Sequence, residues 1–240
     1  ISNACIVANG GVDVTVDDGE IEYVSEYDAH GSSGNVDPTP IHMEPQEISF
    51  ISEPVCDSLV LPKVKNGGTI NPGHYPSITV NNKDLIMSPG LYCVDGDFKA
   101  TGGIISVSGD NRDGVTIYIK NGNFTVSGNV TVNLRAPMDD KDDEVFIPQG
   151  VPPAVRGLLI YLAEDNFGQA SILGNATSSY RGTIFAPDGT IEVGGSGSTV
   201  SDLYSQFVAN TVVVHGTADM QVTFDEDMIT TQDPSLSLYK

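Results

Sequence analysis

Short runs of alternating apolar and polar residues, separated by Gly, Asn and Asp, recur along most of this chain. Between Gly114 and Asp227 the pattern returns four times. The units open at Gly114 (GVTIYIKNGNFTVSGNVTVNL), Gly157 (GLLIYLAEDNFGQASILGNAT), Gly182 (GTIFAPDGTIEVGGSGSTV) and Ser205 (SQFVANTVVVHGTADMQVTF). Each holds about 20–25 residues of short strand pattern, the length of one coil of a β-solenoid. A single coil cannot bury its own apolar face, so successive coils must stack. Period-2 alternation puts Val115, Ile117 and Ile119 on the inner face, with Thr116, Tyr118 and Lys120 outside. Leu158, Ile160 and Leu162 repeat the inner set, as do Phe124, Val126, Val130, Val132 and Leu134. In the Gly182 unit two registers fit: Ile184 and Ala186 inside, or Thr183 and Phe185.

The same pattern reaches both ends of the chain. Residues 4–27 read ACIVA, VDVTV and EIEYVSE around NGG and DDG turns, so coils are expected from Ala4 to Phe224. Two Pro-rich segments interrupt them, 28–62 and 137–156, and a tail follows at 228–240. From Lys63 to Gly109 a doubled corner motif appears, NPGHY at Asn71–Tyr75 and SPGLY at Ser88–Tyr92. Pro presets φ near −65° and Gly supplies a positive φ, which suits a type II turn. No helical period is present. The expected fold is all-β: one right-handed parallel β-helix over 1–240, its hand set by the rule for parallel crossovers.

Composition narrows the partners. The chain has 240 residues, 39% of them apolar, with 26 Gly and no Trp, which suits narrow aliphatic coils with many tight turns. The formal charge is −21, from 32 acidic and 11 basic side chains. Such a surface repels polyphosphate, so nucleic acid and anionic membranes are not expected partners. It also suits a soluble exposed surface, divalent cations or salty surroundings. No stretch approaches the roughly 18–20 apolar residues of a spanning helix, and no signal peptide is visible. A chain opening at Ile1 is expected to be processed or a piece of a longer one.

Three cysteines, Cys5, Cys56 and Cys93, give neither a disulfide framework nor zinc spacing. In an exported chain one disulfide is expected. Cys56–Cys93 is the favoured pair, because Cys56 ends a loop and Cys93 lies on an early strand. Three buried thiols are the alternative.

Candidate chemistry is sparse. His30, His42, His74 and His215 are scattered, and no G-x-S-x-G elbow occurs. The GGSGS run at 194–198 has no following helix to make a phosphate cradle. Asp95, Asp97 and Lys99 fall at period 2, which would place them on one outward strand face as an acid–base or cation-binding group. Oxygen-rich calcium candidates are Asp139, Asp140, Asp142, Asp143 and Glu144, then Asp110 with Asp113, and Asp225, Glu226 and Asp227. None has EF-hand or RTX-repeat spacing. Sequons at Asn123, Asn129 and Asn175 are what a Thr- and Asn-rich turn sequence produces by composition.

The doubled Pro-Gly-x-Tyr corners, with GVTIYI, GLLIYL and GTIFAP after them, resemble the C-terminal region of TadG-like proteins of the tight-adherence (Flp-type) pilus system. The matching pieces are Pro72–Tyr75, Pro89–Tyr92, Gly114–Ile119, Ser127–Asn129, Gly182–Pro187 and Ser205–Asn210, with Cys5 as an early cysteine. The resemblance covers about 60–227 and, more faintly, 4–27. It implies a non-enzymatic protein of the bacterial envelope or cell surface. Its partners would be other envelope or pilus proteins, copies of itself, or glycan. Two further readings are a carbohydrate-active or glycan-binding β-helix using Asp95 and Asp97, and a subunit that polymerises into a filament. No cofactor is expected unless calcium serves as one.

Overall fold

The computed structural model describes residues 2–10, 13–17, 20–30, 35–44, 51–138, 149–173, 178–195, 202–216 and 220–223. These residues form a β-solenoid of about eight turns, with parallel strands throughout and no helix among them. Each turn has three sides. The first side stacks 68–70, 85–87, 103–107, 130–135, 179–181 and 202–203. The second stacks 73–75, 90–94, 115–119, 158–162, 183–186 and 205–209. The third stacks 78–81, 98–101, 124–127, 169–173, 190–194 and 211–215. Alternate side chains of the strands in the turns from 73 to 214 enter one continuous apolar lumen.

Large rings fill the lumen of the early turns. Phe98 stacks on Phe124 at 4.9 Å, and Tyr75 lies 6.2 Å from Tyr92. The doubled corner motif explains those tyrosines. Tyr75 donates from its hydroxyl to the carbonyl of Asn71 at 2.6 Å. Tyr92 donates to Ser88, again four residues back, at 2.8 Å, and lies 2.9 Å from the carbonyl of Ile70. Each ring thus fills the lumen while its polar tip reaches the part-buried carbonyls of its corner. Gly90 sits at φ 141° with Pro72 beneath it, where a Cβ would meet the proline ring at 2.6 Å. The corner therefore requires glycine for its conformation and for the close stacking of turns.

The turns do not follow the order of the chain. Thr223 ends a strand on the first side, and the N-terminus docks beside it. Cys5–Gly10 pairs with Thr211–Gly216 on the third side, and Ser2 pairs with Ala209. Met220–Thr223 pairs in turn with Val14–Asp17. One turn is therefore built from both ends of the chain. Residues 14–30 stack on it, and 36–37 with 41–42 stack on those. The expected insertion at 28–62 is thus corrected in its first part. Residues up to His42 supply strands, short because Pro38 and Pro40 lack the N–H a longer ladder needs.

At this far end the lumen is lined mainly by aliphatic side chains, among them Val14, Val36, Val212, Val214 and Val222, with Tyr27 and Phe207 at its wall, and a cavity of about 350 Å³ opens there. Of the second insertion, Met138 and Gln149 both bind the corner at 112–114, so it leaves and returns at one place. The Gly182 unit takes the register with Ile184 and Ala186 inside and Phe185 outside. Leu158 departs from expectation. A register irregularity between Leu158 and Ile160 turns Leu158 to the outer side and Leu159 to the lumen.

Candidate functional site

Residues 51–60 form a strap across the outside of the second side, running against the direction of the turns. Ile51 accepts a hydrogen bond from Tyr161 on the fourth turn at 3.2 Å. A disulfide joins Cys56 to Cys93 on the second turn. Val60 pairs with His74 on the first. Beneath the strap lies an outer apolar cluster of Leu91, Cys93, Tyr118, Leu158, Tyr161, Ala163 and Phe185. Its rings form a ladder, with centroids 5.4 Å apart for Tyr118–Tyr161 and 5.1 Å for Tyr161–Phe185. Tyr118, outward by pattern, is consequently buried, and Thr116 is buried beside Val155 and Leu158. Thr116 donates to the carbonyl of Leu158 and accepts from the N–H of Val155. Burial under the strap, reinforced by the Glu53 carboxylate, pushes the Tyr118 and Tyr161 hydroxyls upward.

At the strap's end three coils contribute one polar group each. His74 Nδ1 lies 2.9 Å from the Asp57 carbonyl, a pure acceptor, so this nitrogen donates. Its Nε2 lies 2.7 Å from Asp95 Oδ1. Lys120 Nζ lies 3.3 Å from the same oxygen and 3.4 Å from His74 Nε2. His74 is buried, and Asp95 is partly exposed. Desolvation acts to raise the Asp95 carboxyl, but the hydrogen bonds and charges of His74 and Lys120 outweigh it and hold it below its usual range. The arrangement ties the strap to three turns through charge-assisted bonds.

The expected Asp95–Asp97–Lys99 face does not form. The strand on the second side ends at Val94 and the next begins at Phe98, so a corner separates the three residues. Asp97 accepts from the N–H of Asn123 at 2.9 Å and serves the corner, while Lys99 lies exposed on the third side. Asp110 and Asp113 belong to a loop whose carbonyls bind the Arg135 guanidinium; Arg135 Nε donates to Asp113 at 2.6 Å. Among the described residues no three His, Cys, Asp or Glu side chains converge as metal ligands. The calcium candidates Asp139, Asp140, Asp142, Asp143, Glu144, Asp225, Glu226 and Asp227 lie outside the described residues, as does the side chain of Cys5.

A second polar group, not singled out by sequence reasoning, crosses the third side. Glu192 binds His215 Nε2 at 2.5 Å, Ser171 at 3.0 Å, and Gln169. Its members sit on adjacent turns, a proximity that only the stacking register reveals. His42 instead packs edge-on to Tyr23 at 5.3 Å.

A family model described as a domain of unknown function, DUF7305, matches residues 46–231. The chain belongs to the DUF7305 family. The DUF7305 match takes in the strap and the six sequential turns. The turns made by residues 2–44, which dock out of order, lie outside the matched residues. No curated protein and no solved structure matches the chain.

Proposed function

We propose that this protein is a non-enzymatic structural element of an extracellular or cell-surface assembly, of the pilus-linked kind that its TadG-like motifs imply. The observation that carries the reading is the strap. It fills the outer surface of the second side with the chain's own residues, over Tyr118 and Tyr161, and a disulfide fastens it. A disulfide in this setting favours an oxidising compartment outside the cytoplasm. The polar groups are engaged in architecture: His74, Asp95 and Lys120 hold the strap, and Asp97 holds a corner. The test is incubation with a panel of neutral and acidic polysaccharides, following reducing ends and unsaturated products. No turnover is expected. Turnover abolished by Asp95→Ala or Asp97→Ala would overturn the reading in favour of a carbohydrate-active β-helix.

A further inference from the structure

The acidic surface is not uniform along the solenoid. Every Lys and Arg except Lys240 lies between Lys63 and Arg181 in the sequence, and those among the described residues belong to the first five turns. The out-of-order docking then puts residues 2–44 at the opposite end. That segment holds nine acidic residues and no Lys or Arg. The stacking thus produces an axial charge difference that the linear sequence conceals. At the near end Lys63 and Lys65 are exposed beside the first turn, and Lys83 is exposed at the corner between the first turn and the second. At the far end Glu26, Asp37 and Glu44 are exposed on the last two. Each end also presents a large aliphatic side chain on the second side: Leu59, 66% exposed, at one end and Ile41, 43% exposed, at the other.

We propose that the lysine-bearing near end docks on the acidic far end of a second copy of this chain. The two surfaces differ, so the contact is heterologous and open-ended, extending along the solenoid axis. Pro38 and Pro40 deny the outermost turn a full backbone ladder, so side chains carry the contact. Association is therefore reversible and falls with added salt. The proposal rests on the assembly reading for its biological use only. Self-association belongs to the isolated protein, and its failure leaves the absence of turnover to be judged separately.

Sedimentation velocity across protein concentration, at low and high salt, tests it. The native chain should self-associate at low salt and dissociate at high salt. Lys63→Glu/Lys65→Glu/Lys83→Glu and Glu26→Lys/Asp37→Lys/Glu44→Lys each place like charges across the contact, and each should weaken association about tenfold or more. All six positions are exposed, so circular dichroism should match the native chain. Mixing the two variants restores opposite charges and should restore association. A native chain that stays monomeric at low salt would overturn the proposal. So would association that survives both reversals, or a near-end effect with no far-end counterpart, which would assign the lysines to a different partner.

Discussion

Removing the strap's disulfide should cost a large share of the stability. The perturbation is Cys56→Ser with Cys93→Ser, which leaves no unpaired thiol at either position. The bond closes a loop with a sequence separation of 37. In the chain-entropy account, releasing a loop of that length returns about 13 cal/mol/K to the unfolded chain, or about 4 kcal/mol at room temperature. For a chain of this size each kcal/mol moves Tm by about 2–4 °C, so a fall of roughly 8–16 °C is expected. Denaturant titration followed by far-ultraviolet circular dichroism measures the free-energy difference under non-reducing conditions. The cost should appear as a shifted midpoint. Strap detachment in the native state would appear separately, as increased proteolysis within 51–60. A loss below about 1 kcal/mol with an intact strap would refute the assignment of the bond as a constraint on the unfolded chain.

Three further outcomes follow from the corners and the strap's polar anchor. Tyr92→Phe deletes a hydroxyl that reaches two part-buried carbonyls, one of which keeps a backbone donor, and should destabilise by about 0.5–1.5 kcal/mol, measured by the same titration. Gly90→Ala forces a Cβ against Pro72 at a φ of 141° and should cost about 1–3 kcal/mol, whereas a neutral result would mean the corner relaxes freely. Asp95 has a lowered folded-state pKa, so its stabilisation is present above the ordinary carboxylate range and is lost as pH falls through the folded value. Asp95→Asn should therefore flatten the acid limb of the stability–pH curve, and an unchanged limb would remove Asp95 from it.

The repeat was legible because lumen positions are occupied by Val, Ile, Leu and Phe at strict alternation, and because corners need Gly. Phe124, Val126 and Val132 show this directly. Alternation says nothing about what covers the other face. Thr116 and Tyr118 read as solvent positions because what covers them is remote in sequence, Val155 and Leu158 over Thr116 and the strap over Tyr118. Leu158 was misplaced for a related reason, since one irregular residue shifts a strand's register without disturbing its composition. Asp95 and Asp97 looked like partners because period 2 was carried through a corner. The stacking order was the least accessible feature. Residues 4–27 read as a coil, but a coil's sequence does not say which neighbour it stacks on.

That docking also sets a timetable. During synthesis the strand at Ser2–Gly10 is made about 200 residues before its partner at Asp202–Gly216. At about 5–20 residues per second, one edge of that strand can meet Glu26–His30 early, but the other waits some 10–40 s for Thr211–Gly216. Meanwhile turns 68–101 can form while residues 2–44 can pair only among themselves. The last event is then the closing of a turn from both ends of the chain, so an intact N-terminal strand reports that translation reached Thr223. A chain truncated before Asp202 would keep its strap and lose that seal, leaving Cys5–Gly10 as an open strand that proteases or quality control can recognise.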